Sequence, residues 1–195
     1  MRVSPAEYLS LQLRAHELLR GVPLYDVTVV DLPGGGAGRS LADIRALEKV
    51  AAPSRIAVAL YRLRRFLGWV FGWDLIPMRP EQSLLSRLSE RDRAASEIVP
   101  GTADGPFLIL YQFPCESLSE TRNATVHGWI SVTLAPTPTG YRLYWAIYVL
   151  PVSWLTRPYL LAIEPFRRFL MYPAMLRRIR QAWIAAYPGH ELVGS

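Results

Sequence analysis

The sequence predicts a single α+β domain in which an antiparallel sheet packs against helices, and three observations lead to that class. The chain has 195 residues, a usual length for one domain and a short one for two. Hydrophobic residues make up 51% and charged residues 19%, which excludes a disordered chain. Period-two segments cluster between residues 107 and 149, whereas helical spacing dominates on both sides of them.

In the N-terminal half the pattern predicts helix, strand, loop and two further helices. Residues 5–20 have leucines near helical spacing, and the β-branched run 25–32 is typical of a strand. The glycine-rich stretch 33–38 lacks the first glycine and the lysine of a phosphate-binding loop, so we expect a flexible surface loop. Helices are expected from 41 to about 50 and from 54 to 71.

The C-terminal half predicts the sheet and a long final helix. A short strand over 83–88 and a short polar helix over 90–96 precede it. Four strands are then expected, over 107–113, 116–119, 122–134 and 141–149. From Leu155 to Tyr187 one apolar stripe at helical spacing predicts a helix of about 45 Å, with kinks at Pro165 and Pro173.

The strands 122–134 and 141–149 form a predicted hairpin with well-sorted faces. We expect Leu134 to pair with Tyr141, which sets Ile130 beside Trp145. These two side chains then lie on an apolar face directed at the core, and His127 lies on an opposite, amphipathic face.

Charge and composition narrow the classes of partner and site. The net charge of +6 comes entirely from residues 121–195, which hold eight arginines and two glutamates. Stacking motifs and a helix-turn-helix pattern are missing, so no nucleic-acid partner is expected, whereas contact with a membrane surface and a homodimer stay open. The single Cys115 and three distant histidines predict neither a disulfide nor a metal site, and no motif calls for a cofactor. Without an export signal or a 20-residue apolar run, we expect a cytoplasmic protein.

Few polar side chains stand out as candidates for chemistry. His127 could act as a general base, but the predicted strands place no carboxylate to orient it. Glu116, Glu120 and Arg122 lie near a strand start, where a pocket rim or, more simply, a surface ion pair is expected. Cys115 has no base that the sequence places beside it, so a nucleophilic role is not favoured.

Three segments resemble a known family. They are Phe66-Leu-Gly-Trp-Val-Phe-Gly-Trp-Asp74, Glu120-Thr-Arg-Asn-Ala-Thr-Val-His127 and Ile163-Glu-Pro-Phe-Arg-Arg-Phe169. Together they are similar to the uncharacterised bacterial family domain of unknown function 2867 (DUF2867), over roughly residues 20–187. The resemblance, with the element order, implies the helix-grip fold of the START/Bet v 1-like (SRPBCC) superfamily, in which a curved antiparallel sheet wraps a long C-terminal helix.

That fold implies one domain over residues 1–195, with an N-terminal helical extension (1–22), a core (23–187) and a tail (188–195). It often holds an apolar ligand between sheet and helix, so we expect a binding protein for a small apolar or amphipathic molecule. The expected lining is Ile130, Leu143 and Trp145 from the sheet, Ile163, Phe166 and Leu170 from the helix, and Arg122 or Tyr111 as polar anchors at the rim. A cyclase- or hydratase-like enzyme using the same cavity and a peripheral membrane or lipid-transfer protein are the alternatives.

Overall fold

The computed structural model describes residues 3–50, 83–122, 126–152, 154 and 156–188. Within these ranges the description excludes the side chains of residues 48–50, 157, 159, 162–163, 166–167 and 170. The helix predicted over 54–71, the side chains of Ile163, Phe166 and Leu170, and most of the tail therefore lie outside the described residues.

The described residues form an α+β fold around one curved, antiparallel, six-stranded sheet in the order β1-β6-β5-β4-β3-β2. The strands are β1 (Leu24–Pro33), β2 (Ala103–Asp104), β3 (Phe107–Gln112), β4 (Glu116–Arg122), β5 (Val126–Thr137) and β6 (Gly140–Pro151). The strand predicted over 25–32 is confirmed, and so are the four strands predicted between 107 and 149, with shifts of a few residues at their ends.

Six α-helices accompany the sheet in the described part of the chain. They are α1 (Pro5–Leu9), α2 (Arg14–Leu18), α3 (Leu41–Val50), α4 (Glu90–Ala95), α5 (Thr156–Phe166) and α6 (Tyr172–Ala186). Among the described residues, no helix is both long enough and apolar enough to cross a membrane.

The β5–β6 hairpin has a tighter turn than predicted. Thr137 pairs with Gly140, so a two-residue turn joins the strands, and Leu134 lies opposite Leu143 rather than Tyr141. Ile130 consequently faces Ile147, and the predicted pairing of Ile130 with Trp145 is wrong by two residues. Because side chains alternate with period two, a two-residue shift keeps every side chain on its predicted face. Ile130 and Trp145 still share a face, and His127 lies on the other.

Both faces of the sheet are covered, whereas the hairpin pattern predicts one face directed at the core and an amphipathic face opposite it. The front face, with Ile130, Val132 and Leu143, packs against α3 and α6. The back face, with Trp129, Tyr144 and Tyr148, packs against α1, α2 and the segment 84–88. The back face is the more deeply buried: Trp129 is 2% exposed, whereas Ile130, Val132 and Trp145 are only partly buried.

The N-terminal helices are part of this core and not an extension of it. The pattern over 5–20 predicts one helix, but two five-residue helices form, and Tyr8 and Ala15 are completely buried on the back face. The strand predicted over 83–88 is wrong: Leu84–Arg87 is a 3-10 helix, begun by Ser83, whose hydroxyl accepts from the Leu85 N–H.

An ion pair joins α2 to α4 at the edge of the back face. The Arg14 guanidinium lies 2.8 Å from the Asp92 carboxylate, which also accepts hydrogen bonds in a capping box with Ser89. Burial alone would raise the pKa of Asp92, but the Ser89 and Arg14 hydrogen bonds outweigh it and hold that pKa below its usual range.

The last helix is interrupted between the two prolines that predict kinks. A π-helical segment, Arg167–Met171, separates α5 from α6. Pro165 and Pro173 have no N–H to donate to the preceding turn, and a π-helical turn is a common way to accommodate that loss. Beyond it, Leu176, Ile179 and Trp183 pack on the front face beside Leu143.

The glycine-rich segment is bound to the body of the protein, which corrects the expectation of a flexible loop. The Trp183 indole donates to Pro33 O at 3.0 Å, and the Tyr141 hydroxyl donates to Gly36 O at 2.8 Å. Arg39 donates to Gly35 O and stacks over the Tyr187 ring, with 4.0 Å from guanidinium carbon to ring centre. Glycine is needed at position 35, because a Cβ there would lie 2.5 Å from the Trp183 ring.

Candidate functional site

A pocket opens on the front face between α3 and the middle of the sheet. Its volume is about 130 Å³. The lining residues come from α3, the β2–β3 hairpin and the three central strands: Leu41, Ile44, Arg45, Asp104, Phe107, Gln112, Ser117, Ser119, Ile130, Val132 and Trp145. Most of the lining is apolar, with a few polar groups, as is typical of small-molecule sites.

Two serines of β4 account for the space. Ser117 lies opposite Val132 and Ser119 opposite Ile130, so both serines project from the front face among aliphatic neighbours. A serine side chain fills much less volume than the valine or isoleucine usual at such positions, and protein interiors otherwise leave few voids. The pocket therefore follows from placing small side chains on one face of a central strand.

Polar groups lie at two depths in this pocket. At its mouth, Arg45 and Asp104 form an ion pair with 3.1 Å between nitrogen and oxygen, and both side chains are partly exposed. Deeper in, the Trp145 indole N–H is buried, and no described residue accepts a hydrogen bond from it. The Gln112 amide is already engaged, because it donates to Glu97 at 3.1 Å.

The structure brings together two of the residues predicted to bind ligand. Ile130 and Trp145 both line the pocket. Leu143 shares their face but is completely buried beneath α6 in solid packing. The helix that lines the described pocket is α3 rather than the last helix. The expected anchors Tyr111 and Arg122 do not lie at its rim. Tyr111 is buried in the core of the back face, and Arg122 lies opposite His127 in the register of β4 and β5.

The back face carries a buried carboxylate, Glu120, where the sequence predicts a pocket rim or a surface ion pair. Glu120 is completely buried, and four donors converge on it. The Ser83 hydroxyl lies 2.5 Å away and the Leu84 N–H 3.2 Å away, on one side. On the other side, His127 Nε2 lies at 2.7 Å and Trp129 Nε1 at 3.1 Å. These bonds attach the segment after residue 82 to the sheet, and they compensate the cost of burying a charge.

Glu116 has a similar place at the start of the same strand. Its carboxylate accepts from the backbone N–H groups of Arg14 and Ala15, at 2.9 and 2.7 Å, and thereby caps α2. The Tyr111 hydroxyl donates to it at 2.6 Å. Burial, and then the Glu116 charge, raise the pKa of Tyr111 above its usual range. The expected surface ion pair of Glu116, Glu120 and Arg122 is therefore wrong, since both carboxylates are buried.

The expectation that His127 has no orienting carboxylate is also wrong. The pairing of β4 with β5 carries the signal: it sets Arg122 opposite His127 and Glu120 opposite Trp129. Pairing only β5 with β6 misses this contact. The Glu120–His127 pair lies on the opposite side of the sheet from the pocket, and every donor around Glu120 belongs to the packed back face.

Metal ligation is not suggested by the geometry, because the described residues contain no group of three His, Cys, Asp or Glu side chains arranged around a common point. Cys115 is an exposed free thiol. A sheet with a small apolar pocket on one face and two buried, hydrogen-bonded carboxylates on the other can hold a ligand on the first face and support it with the second.

Comparison with known proteins identifies a family. No curated protein matches the sequence. Residues 18–174 match the family described as Protein of unknown function (DUF2867), a range that begins within α2 and ends early in α6. It contains the whole sheet, α3 and every residue that lines the pocket. The chain therefore belongs to the DUF2867 family.

Proposed function

We propose that the protein binds a small apolar or amphipathic molecule in the front-face pocket. The observation that carries the proposal is an apolar pocket in the centre of a sheet, formed where two serines face aliphatic side chains. Apolar side chains at the centre of a sheet are ordinarily covered by packing. Here Ile130, Val132 and Trp145 keep part of their surface open, which a ligand would cover.

The volume limits the size of the ligand or of its buried part. A cavity of roughly 150 Å³ holds one benzene ring, and the pocket has about 130 Å³. One six-membered ring, or an aliphatic group of the same size, is therefore the expected occupant. The Trp145 indole N–H, if the ligand reaches it, favours a hydrogen-bond acceptor on that group.

Binding is favoured over catalysis by the position of the titratable groups. The pocket contains one ion pair, Arg45–Asp104, and it lies at the mouth. An enzyme of the cyclase or hydratase kind would need paired acid–base groups beside the ligand. The pair that meets that description, Glu120 and His127, is on the back face.

The helix-grip fold and membership of the START-like superfamily belong to the same proposal. Support comes from the antiparallel sheet and from α6, which packs along it through Leu176, Ile179 and Trp183. The helices that cover the back face are an addition to the helix-grip fold, in which one helix packs on the concave side of the sheet. A cytoplasmic location remains a prediction that accompanies this proposal, and a homodimer stays open.

Ligand-observed fluorine NMR tests the pocket directly. Fluorobenzene and 4-fluorophenol fit the volume, and we expect the full chain to broaden their signals at micromolar to millimolar concentrations, as suits weak binding of so few atoms. Ser119→Leu should fill the pocket and abolish the broadening. Ser86→Leu, the same substitution at an exposed position outside the pocket, should leave it unchanged.

Native mass spectrometry of gently purified protein gives the second readout. A bound compound from the host appears as a mass excess that Ser119→Leu removes and Ser86→Leu retains. If both probes bind the Ser119→Leu protein as well as the unchanged chain, binding occurs elsewhere and the proposal fails.

A further inference from the structure

The outer side of the last helix carries large apolar side chains that face solvent. Leu161 is 73% exposed and Phe169 67% exposed, and Pro165 between them is also exposed. Their spacing of four residues places them along one side of α5 and the π-helical segment, which we name the apolar ridge. Trp154, just before the helix, is 81% exposed. Single exposed apolar residues are common, but several along one element mark an interaction surface.

Arginines accompany the apolar ridge. Residues 154–188 contain six arginines and one glutamate, so this segment accounts for five of the six net positive charges of the chain. Arg168, Arg177 and Arg180 are exposed, and the Arg168 guanidinium lies 5.4 Å from the centre of the Phe169 ring. The glutamate, Glu164, accepts a hydrogen bond from the Tyr25 hydroxyl at 2.9 Å.

Phe169 and the three exposed arginines also line a groove beside β1. It has a volume of about 330 Å³, with Phe169, Tyr172 and Leu176 as apolar lining and Arg168, Arg177 and Arg180 as cations. Asp26 is its acidic residue. A surface with protruding aromatic and aliphatic groups, a groove behind them and a surplus of arginine suits a partner that is both apolar and anionic.

We propose that this face of the last helix docks on the surface of an anionic phospholipid bilayer. The apolar ridge would enter the boundary between headgroups and acyl chains, and the arginines would meet the phosphates, as in amphipathic helices that lie on membranes. Charge decides against a second copy of the chain, because self-association through this face would bring two arginine-rich surfaces together. The site is separate from the front-face pocket, so the two proposals fail independently.

Vesicle flotation with the full chain tests the docking. We expect binding to vesicles of equal parts phosphatidylcholine and phosphatidylglycerol, and little or none to phosphatidylcholine alone. Each arginine at an anionic surface contributes roughly fivefold in affinity, so Arg177→Gln with Arg180→Gln should weaken binding on the order of 20-fold. High salt should weaken it similarly, because the Debye length contracts. Leu161→Ser with Phe169→Ser should weaken binding by roughly tenfold or more, through lost apolar burial.

Matched controls separate the docking face from charge and exposure in general. Arg20→Gln with Arg91→Gln removes two exposed arginines elsewhere, and Val99→Ser removes an apolar side chain that is 75% exposed. Both controls should bind nearly as well as the unchanged chain. The ridge variant is Leu161→Ser with Phe169→Ser. The proposal is overturned if the controls lose as much vesicle affinity as the ridge variant and the Arg177→Gln, Arg180→Gln variant, or if the chain binds neutral vesicles equally well. It is also overturned if polyglutamate competes fully while the ridge variant binds normally, or if sedimentation shows a dimer that the ridge variant abolishes.

Discussion

The front and back faces of the sheet differ in which side chains they bury. The back face presents Glu116, Glu120 and His127 among its side chains, and all three are buried. The front face presents Ile130, Val132 and Trp145, and all three are only partly covered. The polar centre of the back face is therefore more deeply buried than the apolar centre of the front face, where the pocket lies.

The difference shows that coverage depends on matched partners as well as on hydrophobicity. Glu116 binds two backbone N–H groups at the start of α2, and Glu120 binds Ser83 and the N–H that begins the 3-10 helix. Each carboxylate thus satisfies donors that a helix start would leave unpaired, and it fixes that element on the sheet. On the front face no such directional bond among the described residues closes the region over the two serines, where the pocket lies.

Removal of the Glu120 carboxylate should be the most destructive change to the back face. Glu120→Ala leaves the donors of Ser83, Leu84, His127 and Trp129 without their acceptor in a buried site. We expect the free energy of unfolding to fall by about 3–5 kcal/mol, because each buried donor that loses its acceptor costs about 1–3 kcal/mol. Urea denaturation followed by far-UV circular dichroism measures it.

Two further variants define what that loss means. Glu120→Gln keeps one oxygen acceptor and should lose less than Glu120→Ala. Glu90→Ala removes an exposed carboxylate and should change stability by about 0.5 kcal/mol or less. A loss below 1 kcal/mol for Glu120→Ala would contradict the view that this carboxylate holds the back face together.

The sequence predicts the elements and the two faces because both follow from local periodicity. Strand β1, helix α3 and the β5–β6 hairpin all appear where their patterns place them. The hairpin register is wrong by two residues because period-two alternation distinguishes odd shifts and not even ones. The two-residue turn decides between the remaining registers, and proline and threonine at 138 and 139 are not a usual signal for a tight hairpin.

The candidate site is less predictable, because it depends on contacts between distant segments. Ile130 and Trp145 follow from the apolar face of the hairpin, but the position of α3 over them does not follow from any local pattern. The polar core is missed for the same reason: Glu116 meets Arg14 and Ala15 across about a hundred residues of sequence. Composition alone makes a glutamate in a strand more typical of the surface.

The two central tryptophans test the difference between the faces with one substitution. Trp129 is buried on the back face and donates to Glu120, whereas Trp145 lines the pocket on the front. Trp129→Ala should cost about 3–5 kcal/mol, as for large buried aromatics. Trp145→Ala should cost about 1–2 kcal/mol, because partly buried side chains lose less on truncation than fully buried ones.

Chemical denaturation of the two variants side by side gives the comparison, with the slope of each transition as a check on two-state behaviour. Equal losses would mean that the front face is as tightly packed as the back, and the pocket would then be too small to hold a ligand.

The closed end of the front face provides the smallest and most specific test. Gly35 and Gly36 both have positive φ angles, +94° and +68°, in the segment held by Trp183 and Tyr141. An alanine at either position incurs the left-handed cost of about 1–2 kcal/mol. At Gly36 the added methyl group meets nothing within 4 Å, whereas at Gly35 it lies 2.5 Å from the Trp183 ring. Gly35→Ala should therefore lose about 1–3 kcal/mol more than Gly36→Ala, the usual cost of overpacking.

The free energy of unfolding and the near-UV circular dichroism of the tryptophans report this difference together. The Gly35→Ala spectrum should change, because Trp183 must move from its position against Pro33, and the Gly36→Ala spectrum should not. If the two alanine variants are equally stable and have the same spectrum, the glycine-rich segment accommodates the added methyl group by moving at little cost. The closed end of the front face would then be no more rigid than the pocket, and the contrast within that face would disappear.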